Sequence, residues 1–318
     1  MKYIDVFNGD ADGICALHQL RHAKPVDSIL VTGVKRDISL LKQVHADKGD
    51  QITVLDISLD KNRDELQRLL KVGARIDYFD HHFSGDIPRH PYLLTNINTS
   101  NRTCTSILVN AYLKGKYPLW AAIGAYGDNL HDSARDAVQS QHLTDEQLKA
   151  LCELGMLLNY NGYGAEISEL IFPPDELYSK IRLYENPFEF IETEPAFQQL
   201  QDGYHQDSSM ASALKPEFEE EQIALYVLPD ATWARRVSGV FGNQLARNTP
   251  ARAHALLTKQ ESGSYLVSVR APLNNKEGAD TLCRSFPTGG GRKAAAGINQ
   301  LPEESLDQFI EKFRATFT

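Results

Sequence analysis

Sulfur and tryptophan are sparse in this chain of 318 residues, which has four cysteines, three methionines and two tryptophans. Cys15, Cys104, Cys152 and Cys283 are scattered, and no two form a C-x-x-C pair. That pattern argues against a disulfide framework or a zinc site and fits buried thiols in a reducing compartment. No apolar run approaches the roughly 18 residues that a membrane span needs. The opening MKYIDVFNGD carries acids where a signal peptide would be apolar. A cytoplasmic protein that does not engage a membrane is the expectation. There is no internal repeat and no low-complexity tract. Basic residues are outnumbered as well, 33 Lys and Arg against 42 Asp and Glu, for a net charge of −9. Such a balance is a poor match for coating long nucleic acid.

What is present is ordinary globular composition, 42% hydrophobic and 24% charged. At roughly 100–200 residues per domain, the length suggests two domains. Charge separates along the chain. Residues 222–301 hold ten Lys and Arg and four Asp and Glu, a balance of +6, which leaves −15 on the remainder. Apolar runs at Tyr3–Phe7, Ile29–Thr32, Ile52–Leu55, Arg75–Phe79 and Tyr92–Ile97 alternate with helix-like segments near Gly13–His22 and Asp60–Val72. The alternation predicts a mostly parallel sheet covered by helices, and Thr103–Tyr160 reads as largely helical. Between Pro173 and Pro216 the periodicity weakens at Pro173-Pro174 and Asn186-Pro187, and Glu217–Glu221 reads as a solvated face. The expected organisation is a catalytic domain over 1–185, a linker over 186–221 and a smaller mixed α/β domain over 222–318. In the last, Ile223–Leu228 reads as a strand and Arg235–Arg247 as a helix. His254–Lys259 and Ser264–Arg270 read as a hairpin around Glu261-Ser262-Gly263, and a Gly-rich turn precedes a final helix near Glu303–Phe313.

Acids gather at the carboxyl ends of three predicted strands. They occur in Asn8-Gly9-Asp10-Ala11-Asp12-Gly13, in Val54-Leu55-Asp56 and in Phe79-Asp80-His81-His82. Open α/β sheets bind ligands at that end. A helix N-cap would account for Asp12 or Asp56 taken singly, and a surface pair for His81-His82. Together, four carboxylates in one crevice would repel one another unless a cation joined them. Carboxylate oxygens with an imidazole suit manganese or magnesium better than zinc.

These motifs, with Ile123-Gly124-Ala125-Tyr126-Gly127-Asp128 as the fourth, resemble in order and spacing those of the DHH phosphoesterases. That family includes RecJ-type nucleases, nanoRNase-type oligoribonucleases and related phosphatases. Val267–Pro272 and Gly289–Gly297 resemble the strand and Gly-rich turn of the DHH-associated C-terminal domain. The resemblance implies two Mn²⁺ ions, one held by Asp10 and one by Asp12, with Asp56 bridging and His81 and Asp128 completing the shell of the second. It implies that Asp80 orients a histidine and that His82 faces the substrate phosphate. Two ions roughly 3.5–4 Å apart would activate a water for in-line attack on phosphorus. The chain departs from the family pattern at Val6, where many members have a histidine ligand. It departs again at Asn8, where RecJ-type motifs have aspartate and the amide oxygen would ligate without charge. Arg292 stands where histidine is usual.

In the C-terminal part, Gly289, Gly290 and Gly291 would let backbone N–H groups approach an anion. Arg270 would grip a phosphate bidentately, and Arg292 would hold the distal part of the substrate or stack on a base. The expected active site is a cleft between the domains. The expected reaction is Mn²⁺-dependent hydrolysis of short single-stranded oligonucleotides or dinucleotides, with Mg²⁺ as the other candidate ion. A phosphatase of a small nucleotide such as 3′-phosphoadenosine 5′-phosphate is the nearest alternative. A non-catalytic nucleotide-binding sensor is the alternative from another class. Trp120 and Trp233 read as core or interface residues, His131 and Asp132 equally as lining the crevice or as a solvated loop, and Arg102 precedes a helix start of the kind that can bind phosphate. No protein partner or oligomeric state follows from the sequence.

Overall fold

Alternation sets the first sheet. In Tyr3–Phe7, Ile4 and Val6 point to one face and Asp5 and Phe7 to the other, and the same period recurs in the next strands. The computed structural model describes residues 1–260 and 262–318 and divides into two units, Met1–Asp202 and Gly203–Thr318. The first unit runs β1 (Tyr3–Phe7), α1 (Ala11–Ala23), β2 (Ile29–Val31), β3 (Gln51–Leu55), α2 (Arg63–Val72), β4 (Arg75–Asp80) and β5 (Leu93–Ile97). It continues with α3 (Thr105–Tyr112), α4 (Pro118–Gly127), α5 (His131–Val138), α6 (Asp145–Asn161), α7 (Pro174–Ile181) and α8 (Pro187–Thr193) and ends within α9 (Pro195–Ser212). The five strands are all parallel, in the order β2-β1-β3-β4-β5.

Ile4, Val6, Ile52, Val54, Ile76 and Tyr78 pack on one face against Leu66, Leu69 and Leu70 of α2. Val6 is therefore a core residue. On the other face α1 is buried from Ala11 through Leu20. There Asp5 is fully buried and paired with Arg21. Arg21 Nε donates to Asp5 Oδ2 at 2.7 Å, Ser28 Oγ donates to the same oxygen at 2.6 Å, and Arg21 Nη2 reaches Thr53 Oγ1 at 2.9 Å. Burial alone would lower the Arg21 pKa, but the hydrogen bond and charge of Asp5 raise it.

The stretch expected as a linker holds two helices, α8 and α9. Pro187 and Pro195 within it start helices instead of breaking them. Pro174, Pro187 and Pro195 each occupy the first helical position, where a missing N–H costs nothing. Asn186 caps α8 by accepting from Phe188 N at 3.1 Å. The division between the units falls inside α9. Trp120 is buried, and its Nε1 donates to Glu185 O at 2.8 Å. Among the described residues, no helix is long and apolar enough to cross a membrane.

The second unit continues with β6 (Phe218–Glu219), β7 (Ile223–Leu228), α10 (Thr232–Asn248), β8 (Ala253–Lys259), β9 (Tyr265–Arg270) and α11 (Ala279–Arg284). It ends with β10 (Gly289–Arg292), β11 (Ala295–Leu301) and α12 (Leu306–Phe317). Its sheet is mixed, in the order β10-β11-β9-β8-β7-β6 with only β7 and β8 parallel. Ala255, Leu257, Val267 and Val269 share a core with Leu282, Phe309 and Phe313. The β8–β9 hairpin forms as expected, with Glu261 of its turn outside the described residues. The three glycines do not make the expected turn. They form the edge strand β10, paired with β11 from Gly289↔Ile298 to Arg292↔Ala295. Close approach accounts for the residue choice, because a Cβ on Gly289 would sit 1.7 Å from Cys283 O.

Candidate metal centre

The strand order reverses beside β1, and the carboxyl ends of β1, β3 and β4 deliver the acidic motifs. Asp10 caps α1, its Oδ1 accepting from Asp12 N at 3.0 Å and Gly13 N at 3.1 Å. Asp12, one step inside the helix, caps a different one. Its Oδ2 accepts from Thr105 N and its Oδ1 from Ser106 N, both at 2.7 Å, so the start of α3 holds this carboxylate. Asp56 follows β3 with φ of 59°, a left-handed conformation that aspartate and asparagine tolerate best among residues with a Cβ. Thr105 Oγ1 donates to Asp56 Oδ1 at 3.2 Å.

His81 is the point of convergence. Its Nδ1 lies 3.2 Å from Thr103 O. A donated Nδ1–H there leaves the Nε2 lone pair for a cation. Around Nε2 stand Asp56 Oδ1 at 3.3 Å, Asp128 Oδ2 at 3.4 Å and Asp12 Oδ2 at 3.9 Å. Asp12, His81 and Asp128 form one group able to hold a metal ion, and Asp56, His81 and His82 form a second. Asp80, fully buried at the end of β4, accepts from His81 N at 2.9 Å and lies 2.8 Å from His82 Nδ1. His82 is partly exposed beside it, with 40% of its side chain accessible.

The electrostatics match a cation site. Burial pushes the Asp12 carboxyl up, and the Asp128 charge adds to the effect. Burial and the charges of Asp10 and Asp12 push Asp56 well above the ordinary carboxylate range. Burial alone would depress His81, but the hydrogen bond and charge of Asp56, then Asp128 and Asp12, raise it to about 10. The cluster of carboxylates thus demands positive charge, which is what a hard divalent ion would provide.

Sequence reasoning missed Lys35. It follows β2, and its Nζ is ion-paired with Asp10 Oδ2, donates to Asn159 Oδ1 at 2.7 Å and reaches Asp128 Oδ1 at 3.4 Å. Burial would lower its pKa, but the charges of Asp10 and Asp128 hold it well above the ordinary lysine value. Asn8 Nδ2 donates to Lys35 O at 3.2 Å. Asn8 Oδ1 is buried without a hydrogen-bond partner among the described residues. Asking which residues follow every strand, and not only which acids do, would have flagged Lys35.

The C-terminal candidates lie in the second unit. Arg270 ends β9 on the face covered by α10. Its Nε donates to Asn243 Oδ1 at 2.7 Å, its Nη1 to Ser268 Oγ at 2.9 Å and Val269 O at 3.2 Å, and its Nη2 to Gly239 O at 3.4 Å. Arg292 is exposed on β10, and a Cβ on Gly290 would meet nothing within 4 Å. Of the residues set aside, Arg102 pairs with Asp136 at the surface, and His131 contacts Asn129.

A parallel 2-1-3-4-5 unit with aspartates and histidines at its strand ends, followed by a mixed-sheet unit, is the RecJ-like DHH phosphoesterase fold. The chain is similar to an exonuclease RecJ bound to manganese, with TM-score 0.65 and 16% identity over 100% of this chain and 91% of that one. It is similar to RecJ from Thermus thermophilus in complex with Mn²⁺, with TM-score 0.66 and 18% identity, and spans about half (52%) of that protein. It is also similar to PggH, a pGpG-specific phosphodiesterase from Vibrio cholerae, with TM-score 0.55 and 12% identity over 98% of this chain and 97% of that one. No protein-family model and no curated protein matches the chain.

Proposed function

We propose that the protein is a manganese-dependent phosphodiesterase that hydrolyses short single-stranded oligonucleotides or dinucleotides. The observation that carries this reading is the convergence of Asp12, Asp56 and Asp128 on His81 Nε2, with His82 alongside. The donor set is hard, buried and over-supplied with negative charge, so it fits a divalent ion. In this reading Asp12, Asp56, His81 and Asp128 hold the ion. A divalent ion there supplies an activated water and positive charge against the phosphoryl oxygens. Asp80 fixes the His82 ring through Nδ1, so Nε2 is the nitrogen left to meet a substrate phosphate. Arg292 and the backbone of Gly289, Gly290 and Gly291 are the proposed contacts for the distal part of the substrate, with Arg270 bracing that sheet from the α10 face. The fold shared with manganese-bound RecJ structures supports the metal. Near-complete mutual coverage with PggH, whose named substrate is a dinucleotide, supports a short one. The burial of Cys15, Cys104 and Cys283, with no disulfide among the described residues, supports a reducing, cytoplasmic setting.

The test follows end-labelled RNA and DNA di- to heptamers incubated with the protein and Mn²⁺, with Asp56→Asn as the control. Asparagine is chosen because it retains the left-handed backbone at that position. Mononucleotide release that disappears in the variant is expected. Release of inorganic phosphate from 3′-phosphoadenosine 5′-phosphate alone would replace this reading with a phosphatase. No turnover of either substrate, with manganese bound, would leave a nucleotide-binding sensor.

A further inference from the structure

Asp10, like Asp80, is an acid at the site that the cation cluster leaves out. Among the described residues, the two groups able to hold a metal ion draw on Asp12, Asp56, His81, His82 and Asp128, and Asp10 is in neither. Both of its oxygens have other work. Oδ1 accepts from Asp12 N and Gly13 N at the start of α1, and Oδ2 is paired with Lys35 Nζ. Lys35 in turn has three ammonium protons and three oxygens around it, from Asp10, Asn159 and Asp128. This is not a surface lysine that happens to swing inward. Its backbone is fixed on both sides, with its N–H donating to Gly162 O at 2.8 Å and its carbonyl accepting from Asn8 Nδ2 at 3.2 Å. Only 22% of the side chain is accessible. Asp128 divides itself between the two positions, with Oδ1 toward Lys35 and Oδ2 toward His81.

We propose that the Lys35 ammonium is a built-in cation that takes the place of a second metal ion, so that the centre binds one divalent ion, at Asp12, Asp56, His81 and Asp128, and none at Asp10. With Oδ1 capping α1 and Oδ2 paired with the ammonium, both Asp10 oxygens are engaged, and the ammonium repels a divalent ion that approaches them. In place of the two ions that the family resemblance implies, the site then carries one exchangeable charge and one permanent one. Lys35 serves as a positioning residue. It fixes Asp128, which it shares with the ion, and keeps a positive charge beside the substrate position when the metal is absent.

The inference rests on the proposed metal-dependent reading, and counting ions separates the two. The full chain is loaded with excess Mn²⁺, and bound manganese is counted by native mass spectrometry and by equilibrium dialysis with elemental analysis. Electron paramagnetic resonance then reports whether ions are coupled. One ion per chain with an uncoupled six-line signal is expected. In Lys35→Met, which keeps the stem and removes the charge, the count should rise to two and the signal should become that of a coupled pair. Lys35→Arg, which keeps the charge, should stay at one. If Lys35→Met does not fold, Lys35→Gln takes its place. Two coupled ions in the unmodified protein would overturn the inference and leave the hydrolase reading standing. One ion in every variant would overturn the role given to Lys35. No bound manganese at all would remove the hydrolase reading itself.

Discussion

Replacing Gly124 by alanine sets two effects of known size against each other. Gly124 lies in the interior of α4, where alanine is favoured over glycine by about 1 kcal/mol through helix propensity alone. A Cβ there, however, would stand 2.3 Å from Ser106 Oγ, 2.7 Å from Ser106 Cβ and 3.1 Å from Asp12 Oδ1. Ser106 has nowhere to go. It is fully buried, its Oγ donates to Ala121 O at 3.2 Å, and its N–H donates to Asp12 Oδ1 at 2.7 Å. Turning the hydroxyl away forfeits a hydrogen bond worth about 1 kcal/mol, and moving the start of α3 adds an overpacking cost of about 1–3 kcal/mol. Crowding therefore outweighs propensity, and Gly124→Ala should lose about 1–3 kcal/mol.

For a unit of this size, roughly 2–4 °C of melting temperature corresponds to each kcal/mol, so the expected drop is about 2–12 °C. The same displacement pulls two backbone donors off Asp12, and loss of such supporting contacts weakens metal sites by roughly 10–100-fold. Thermal unfolding in chelator reads the first effect, and calorimetric Mn²⁺ titration reads the second. Ser106→Gly on the same background removes both crowded atoms and should restore most of the affinity. A Gly124→Ala protein that melts higher and binds Mn²⁺ as before would refute the argument, since that is the outcome of propensity acting alone.

Two further outcomes test the units separately. Arg21→Met should cost about 3–5 kcal/mol in urea unfolding, because it strands the buried Asp5 carboxylate with Ser28 as its remaining donor, whereas Asp5→Val added to it should recover all but about 1 kcal/mol. A cost for the single change below about 1 kcal/mol would mean that the pair is not effectively buried. In the second unit, burial and then the Arg252 charge lower His254 to about 4. Between its ordinary value near 6.5 and that folded value, the unfolded chain binds the extra proton, so stability present above about pH 6.5 is lost as the pH falls toward 4. The loss is up to about 3 kcal/mol. His254→Leu should flatten that part of the stability–pH curve, and superimposable curves for the two proteins would exclude the effect.

The strands and the acidic motifs were legible because each depends on residues adjacent in sequence. Apolar alternation located β1, β3 and β4 within a residue, and the acids that end them followed directly. What failed to show depends on which of two physically valid roles a residue takes. Proline both ends and begins helices, and Pro187 and Pro195 begin them. Glycine serves turns and close approaches alike, and Gly289 serves an approach to Cys283 O. Arg270 is equally able to grip a phosphate or brace a helix. In the structure it donates to Asn243 and Gly239 on α10, 27 and 31 residues away, partners that no local pattern announces.

Asp10 and Lys35 are the sharpest case. An aspartate before a helix is both a good N-cap and a good cation ligand, and its two oxygens allow both roles at once. In the structure Oδ1 caps α1 and Oδ2 is paired with an ammonium, so the cap of α1 expected from the sequence at Asp12 falls to Asp10. What the motif could not contain was the identity of the cation. Lys35 comes from the loop after the edge strand β2, 25 residues further along the chain, with no local pattern linking it to Asp10. Yet β2 pairs directly with β1, so residues following their carboxyl ends are neighbours in space. The rule that directs attention to strand ends carries no preference for acids. Applied to every strand and to both signs of charge, it brings Lys35 to the same place as Asp10.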